Sequence, residues 1–184
     1  MKRQIRSRVF ETNSSSTHSI AISKAPVVIG KRIHFGIGEF GWENDIANTA
    51  DYLYTAILER DDWIDLIDKL KAILDKHHIE YSFEKPMWQK SSDGNYTWLE
   101  YGYIDHGYEL GDFIFDVLND ENLLMRYLFG DSTVYTGNDN QDNCPSGCNI
   151  ADEYYWEEDE SGKYVEMLNP YHDPINYDYY YKGN

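Results

Sequence analysis

The stretch between Trp63 and His77 constrains the fold most strongly, because its apolar residues recur every three or four positions. Weaker versions of the same spacing run over residues 46–58 and 110–128. Each pattern predicts a helix with one apolar face, which needs a core to pack against. The residues predicted to begin or end these helices are Asp61 or Asp62, Asn119 or Asp120, and Gly130. The sequence therefore predicts three to four amphipathic helices.

Strand patterns flank the helical segments and set the fold class. In "RQIRSRVFE", successive side chains would point to opposite faces of a strand, and the β-branched Ile20 and Ile22 follow in "HSIAIS". Together they predict an N-terminal β-hairpin or small antiparallel sheet. Further strands are predicted in "PVVIGKRIHFGI", "IEYSFEK" and "NYTWLEYGYI". The predicted class is α+β, and residues 1–130 form its core.

The C-terminal segment, residues 131–184, is acidic and rich in tyrosine. "DEYYWEEDESGKYVEML" predicts an acidic hairpin that turns at Ser161 and Gly162. The tail "NPYHDPINYDYYYKGN" contains two prolines, and it predicts an irregular chain ordered by aromatic packing. We expect the whole segment to pack on the same domain as the core.

The net charge of −17 narrows the class of partner. Residues 1–34 contain seven basic residues and one acidic residue, whereas residues 35–184 carry a net charge of −23. Aromatic residues make up 16% of the chain, which is typical of a folded protein rather than of an acidic disordered one. An acidic body repels nucleic acids and membrane surfaces and attracts basic proteins. The alternative interpretation of such a charge is solubility alone.

The compartment is predicted to be the cytoplasm. No run approaches the ~20 apolar residues that span a bilayer, and no apolar stretch typical of a signal peptide follows the basic start. The two cysteines, Cys144 and Cys148, are spaced as "CPSGC" without a second Cys or His pair nearby. Since structural zinc takes four ligands, free thiols or a labile bridge are favoured over a metal. The sequence predicts no metal and no cofactor.

The segment "VFETNSSSTHSI" concentrates small polar side chains and one imidazole. Its motif residues are Asn13, Ser14, Ser15, Ser16, Thr17 and His18. Such residues satisfy backbone groups in turns, so a hairpin turn is the favoured interpretation. The alternatives are a phosphate-binding loop or a catalytic loop, in which Glu11 orients His18 as a base for a hydroxyl such as that of Ser16. No catalytic residue is assigned, because no glycine pattern of a phosphate loop or nucleophile elbow is present.

The stretch "DEYYWEEDE" interleaves carboxylates with aromatic rings. Carboxylates along a rigid surface can imitate the phosphates of a duplex, which occur every ~1.7 Å of helix axis. Tyrosine and tryptophan anchor protein interfaces at a low cost in conformational entropy. We therefore predict a binding surface here, against the alternative of a solvated face. Its predicted residues are Glu153, Tyr155, Trp156, Glu157, Glu158, Asp159 and Glu160.

The segment "RVFETNSSSTHSI" behind the basic N-terminus resembles a motif of small proteins from phages and mobile elements of Gram-positive bacteria. The resemblance covers about the first 22 residues. Acidic proteins of this size and source resemble type II-A anti-CRISPR proteins, which inhibit Cas9. The resemblance implies a protein of the bacterial host cytoplasm that binds a basic nucleic-acid-binding enzyme, Cas9 with its guide RNA, and blocks DNA binding or cleavage.

Two further interpretations stay open at this point. The protein could be a nuclease or another phosphoryl-transfer enzyme that uses the "NSSSTHS" loop, for example to cleave guide RNA. It could also be a structural protein of a phage. In the inhibitor interpretation, the basic N-terminal arm contacts guide RNA or DNA, or folds back on the acidic body.

Overall fold

The computed structural model describes residues 16–41, 45–105, 110–138 and 153–182. They form a mixed α+β structure, as predicted, with four helices and small sheets. The helices are α1 (Thr49–Leu58), α2 (Trp63–Lys76), α3 (Gly111–Asn119) and α4 (Glu121–Phe129). The strands are β1 (Ser16–Ser23), β2 (Arg32–Phe35), β3 (Glu39–Phe40), β4 (Asp45–Ala47), β5 (Glu80–Phe83), β6 (Trp88–Lys90), β7 (Thr97–Leu99), β8 (Tyr103–Ile104), β9 (Thr133–Asn138), β10 (Tyr154–Glu158), β11 (Tyr164–Leu168) and β12 (Tyr177–Lys182).

The helices follow the predicted periodicity, and side-chain caps explain where α1 and α4 begin. Asp120 separates α3 from α4, and its carboxylate accepts hydrogen bonds from the backbone N–H groups of Asn122 and Leu123 at 2.9 and 3.1 Å. This is the side-chain N-cap that the sequence predicts. Asp62 lies at the N-cap position of α2, but its side chain makes no capping hydrogen bond. The first helix begins at Thr49 rather than at residue 46, because Asn48 caps it there.

The main sheet has four antiparallel strands in the order β12–β1–β9–β4. Strand β1 lies in the middle, with Ile20 opposite Val134 of β9 and Tyr180 of β12. The small antiparallel sheet is therefore present. The hairpin partner predicted for β1, in residues 3–11, lies outside the described residues, and both neighbours of β1 come from the C-terminal third of the chain.

The tail is more regular than its prolines suggest, so the prediction of an irregular tail is wrong for residues 177–182. They form β12, which a short 3₁₀ helix at Pro170–His172 precedes. Arg126 of α4 links β12 to β1 through two hydrogen bonds. Its guanidinium donates to the backbone oxygen of Ser23 on β1 at 2.9 Å and to the carboxylate of Asp178 on β12 at 2.8 Å. Hydrogen bonds from a charged donor are stronger than those between neutral groups, so these bonds stabilise the position of the strand.

The remaining strands pair two by two. Strands β2 and β5 are parallel, as are β3 and β8, whereas β6–β7 and β10–β11 are antiparallel. The segment "SSDGN" joins β6 to β7, whereas β5 pairs with β2. The segment "NYTWLEYGYI" is likewise two short strands rather than one.

One apolar core holds the helices against the main sheet. Ile20 and Ile22 of β1 and Val134 of β9 belong to the same cluster of buried side chains as the apolar faces of all four helices. The cluster includes Tyr52 of α1 and Tyr127 of α4, both without exposed surface. Because β10 and β11 contribute no residue to this cluster, the core leaves that hairpin outside.

Candidate functional site

The hairpin of β10 and β11 is the candidate site, and we call residues 154–168 the acid–aromatic ribbon. Among the described strands, these two pair only with each other. Every residue of β11 is exposed, and Tyr155 is the one residue of β10 that is half-buried. A two-stranded hairpin of this kind usually needs packing for stability, and monomeric proteins seldom leave large apolar side chains exposed together. The ribbon thus has the character of an interaction surface.

The register of the acid–aromatic ribbon sorts its side chains onto two faces. Residues directly opposite each other on neighbouring strands share a face. The first, which we call the aromatic face, consists of the pairs Tyr154–Leu168, Trp156–Glu166 and Glu158–Tyr164. The opposite face consists of the pairs Tyr155–Met167 and Glu157–Val165.

The aromatic face is the more exposed of the two. Trp156 keeps 65% of its surface exposed, Tyr164 keeps 63% and Tyr154 keeps 50%. On the opposite face, Val165 and Met167 are about 40% exposed. Large aromatic rings that the protein's own core does not cover are the residue types that anchor protein interfaces. The aromatic face is therefore where a partner would gain the most buried area.

Asp159 organises the turn at the tip of the acid–aromatic ribbon. Its Oδ1 accepts hydrogen bonds from the backbone N–H groups of Ser161 and Lys163 at 2.8 and 3.0 Å, and from the Ser161 hydroxyl at 2.6 Å. The backbone N–H of Gly162 donates to the oxygen of Asp159 at 2.9 Å, so the turn lies where the sequence predicts it. The hydrogen bonds to the Asp159 carboxylate lower its pKa below the ordinary value of 3.8, and the bond from the Ser161 hydroxyl contributes most to this shift.

Acidification should open this turn only at low pH. A carboxylate whose pKa is lower in the folded state stabilises that state above its unfolded pKa and loses the effect as the pH falls through its folded pKa. We therefore expect the amide signals of Ser161 and Lys163 to titrate together in NMR spectra, with a midpoint below 3.8. Replacement of Asp159 by alanine should abolish that titration, whereas Glu160→Ala should preserve it. A midpoint at or above 3.8 would contradict this role of Asp159.

The structure divides the predicted binding residues into three groups. Trp156, Glu157, Glu158 and Glu160 are exposed on the acid–aromatic ribbon, as a binding surface requires. Tyr155 is half-buried, and Glu153 lies at the base, where its backbone oxygen accepts a hydrogen bond from the N–H of Asn169 at 2.8 Å. Asp159 holds the turn, so its carboxylate is structural. The hairpin itself was predicted from the sequence, and β11 confirms its second strand. The predicted binding residues stopped at Glu160, so sequence reasoning missed Tyr164, Glu166 and Leu168, which lie on the aromatic face.

The hydroxyl-rich motif lies in the sheet rather than in a turn from Ser16 onward. Ser16, Thr17 and His18 are part of β1, so the turn prediction is wrong for these three residues. His18 has no exposed surface, and its Nδ1 lies 3.1 Å from the hydroxyl of the buried Tyr52. Such burial favours a packing role over proton transfer to a bound substrate. The other motif residues and the proposed orienting acid lie outside the described residues; they are Glu11, Asn13, Ser14 and Ser15.

Two histidines outside the motif contact neighbouring polar side chains. His77 ends α2 and its Nε2 lies 3.1 Å from Glu121, whose pKa is lowered mainly by the hydrogen bond from Lys76. His34 on β2 lies 2.9 Å from the hydroxyl of Ser82 on β5, at an exposed face. Within the described ranges, no three His, Cys, Asp or Glu side chains stand close enough to hold a metal ion. Cys144 and Cys148 lie outside those ranges.

The fold and the acid–aromatic ribbon define an acidic α+β protein with an exposed two-stranded hairpin. Comparison of the chain with protein-family models, with curated proteins and with solved structures finds no match. The described helices include none with the length and apolar character of a membrane span.

Proposed function

We propose that this protein binds a basic surface of a nucleic-acid-handling enzyme through the acid–aromatic ribbon and inhibits that enzyme. The observation that carries the proposal is the exposure of three aromatic rings beside carboxylates on a hairpin that the core does not cover. Residues 153–168 contain six acidic residues and one lysine. This charge adds long-range attraction to any basic partner and speeds the encounter.

Cas9 bound to its guide RNA is the partner we propose to test. Its nucleic acids lie in positively charged channels, and arginines read its PAM. A surface that carries carboxylates in place of phosphates can occupy such sites and exclude DNA. The N-terminal resemblance to proteins of phages and mobile elements supports the same choice.

Binding to the Cas9–guide complex should depend strongly on salt and on the charge of the acid–aromatic ribbon. Screening shortens the range of electrostatic attraction from ~10 Å at 0.1 M salt to a few Å near 1 M. We expect affinity to fall at least about tenfold between 0.05 and 0.5 M salt, because much of it is electrostatic. Biolayer interferometry with the full chain measures this, and affinity that stays constant over the range contradicts the proposal.

A matched pair of variants assigns the contact to the acid–aromatic ribbon. The variant Glu157→Gln, Glu158→Gln, Glu166→Gln removes three charges and retains Asp159, which the turn needs. The control Asp61→Asn, Asp65→Asn, Asp68→Asn removes three exposed charges from the start of α2. We expect the first to weaken binding about tenfold or more and the second only slightly. The reverse result would place the contact on the helices.

The same samples address the enzymatic alternative. Gel analysis of the guide RNA after incubation reports whether the chain cleaves it. An intact guide in an inhibited complex supports inhibition by binding. A shortened guide would replace that proposal with a nuclease.

A further inference from the structure

We propose that the aromatic face of the acid–aromatic ribbon recognises arginine side chains, at two neighbouring subsites. This deepens the proposed function and rests on it in one respect, namely that the partner is basic. The subsites are the cross-strand pairs Trp156–Glu166 and Tyr164–Glu158. Each couples an exposed aromatic ring to a carboxylate on the adjacent strand.

The register makes these pairs close enough to act on one side chain. Cβ atoms of directly opposed residues in an antiparallel pair lie about 4.5–5.5 Å apart. A planar cation stacked on the ring of Trp156 therefore has the carboxylate of Glu166 within reach. The pattern then inverts along the strands, because the next pair on this face places Glu158 on β10 and Tyr164 on β11. The two rings and the two carboxylates thus alternate diagonally.

Guanidinium matches this arrangement better than ammonium does. It stacks on aromatic faces and offers two parallel N–H donors to a carboxylate, whereas the lysine ammonium is a compact and strongly hydrated charge. Cation–π attraction is strongest over tryptophan, which is the ring of the first subsite. The chemistry of each pair therefore selects arginine within a basic segment.

Charge complementarity also excludes other occupants of the aromatic face. A second copy of this chain would bring another ribbon with five acidic residues and one lysine, and the carboxylates would repel each other. Nucleic acids and anionic lipids are repelled in the same way. A basic segment of a partner protein gains both the ring contacts and the carboxylates.

Calorimetry of the full chain with two synthetic peptides tests this inference. Both contain four basic residues separated by Gly-Ser; one carries arginine and the other lysine. We expect the arginine peptide to bind about tenfold more tightly, since ring stacking and bidentate pairing at two subsites each add a few-fold. Trp156→Leu and Glu166→Gln should each reduce this preference at least about threefold.

A control variant and an NMR check make the outcome decisive. Phe115→Ala removes an aromatic ring that is 66% exposed on α3, and it should leave both affinities unchanged. Cross-strand contacts between Glu158 and Tyr164 in NMR spectra verify that each ribbon variant keeps the hairpin. Three outcomes would overturn the arginine subsites. They are equal affinity for the two peptides, no binding of either peptide at 1 mM, and a folded Trp156→Leu protein that keeps the full preference for the arginine peptide.

These outcomes separate this inference from the proposed function. A chain that prefers the arginine peptide but does not bind the Cas9–guide complex refutes that partner and supports the subsites. A chain whose binding to Cas9–guide depends on the acid–aromatic ribbon, yet which shows no arginine preference, supports the function and refutes the subsites.

Discussion

Replacement of His18 by alanine is expected to lower the free energy of unfolding by about 2–4 kcal/mol, because it removes a buried hydrogen-bonding group and leaves a cavity in its place. The imidazole has no exposed surface, and its Nδ1 lies 3.1 Å from the hydroxyl of Tyr52. Burial, with a smaller contribution from the charge of Glu59, raises the pKa of Tyr52 well above 10.0, so the phenol stays protonated. Urea denaturation followed by circular dichroism measures the loss.

A double-mutant cycle with Tyr52→Phe separates the hydrogen bond from the packing. Tyr52→Phe removes only the hydroxyl, and we expect it to cost about 1–2 kcal/mol. If the two groups act on each other, the double variant loses less stability than the two single changes predict. Partner binding by the folded fraction should persist. A His18→Ala protein with wild-type stability and no activity would instead identify His18 as a catalytic base and favour an enzyme.

Replacement of Gly102 by alanine is expected to cost about 2–5 kcal/mol, the sum of backbone strain and overpacking. Gly102 has a φ of +83°, which L-residues rarely adopt, and it is buried between β7 and β8. A Cβ there would overlap Cγ2 of Ile37 and lie 3.3 Å from the backbone oxygen of Gly38. Chemical denaturation measures the cost.

The loop of residues 36–38 cannot easily move away from that methyl group, because side chains hold three successive backbone N–H groups. Gly36 donates to Asp51 at 2.6 Å, Ile37 to Glu84 at 2.9 Å and Gly38 to Thr55 at 3.2 Å. Relief of the overlap would break some of these bonds. Each such loss leaves a donor unsatisfied at a cost of about 1–3 kcal/mol.

Gly94→Ala is the matched control for Gly102→Ala. Gly94 also has a positive φ, of +72°, but no atom lies within 4 Å of a Cβ placed there. We expect it to cost only the backbone strain, about 1–2 kcal/mol. The difference between the two variants measures the packing around Ile37, and equal effects would show that this packing is loose.

Local signals made much of the helical fold predictable. The boundary at Asp120 follows from a side chain that hydrogen-bonds backbone groups two and three residues ahead, so the contact is contained within four residues. The tip of the acid–aromatic ribbon was predictable for the same reason, since Asp159, Ser161 and Gly162 interact across a few positions. Interactions of this range leave a readable pattern in a single sequence.

The place of His18 was not predictable from its neighbours. Serine, threonine and asparagine suit turns, and the motif offered no sign that both sides of β1 would be occupied. The partners of β1 are β9 and β12, more than 110 residues further along the chain. Pairing at that distance depends on tertiary contacts, and burial in those contacts overrides the local preference.

The sequence by itself determined three to four helices, the α+β class, the acidic charge and the position of the ribbon turn, because periodicity, capping and composition act over short distances. Only the tertiary structure decided that the tail supplies β12, since Arg126 reaches Asp178 across 52 positions. It also decided which face of the acid–aromatic ribbon is available. The exposure of that face depends on the cross-strand register, which brings Trp156 opposite Glu166. It also depends on the apolar core, to which β10 and β11 contribute no residue.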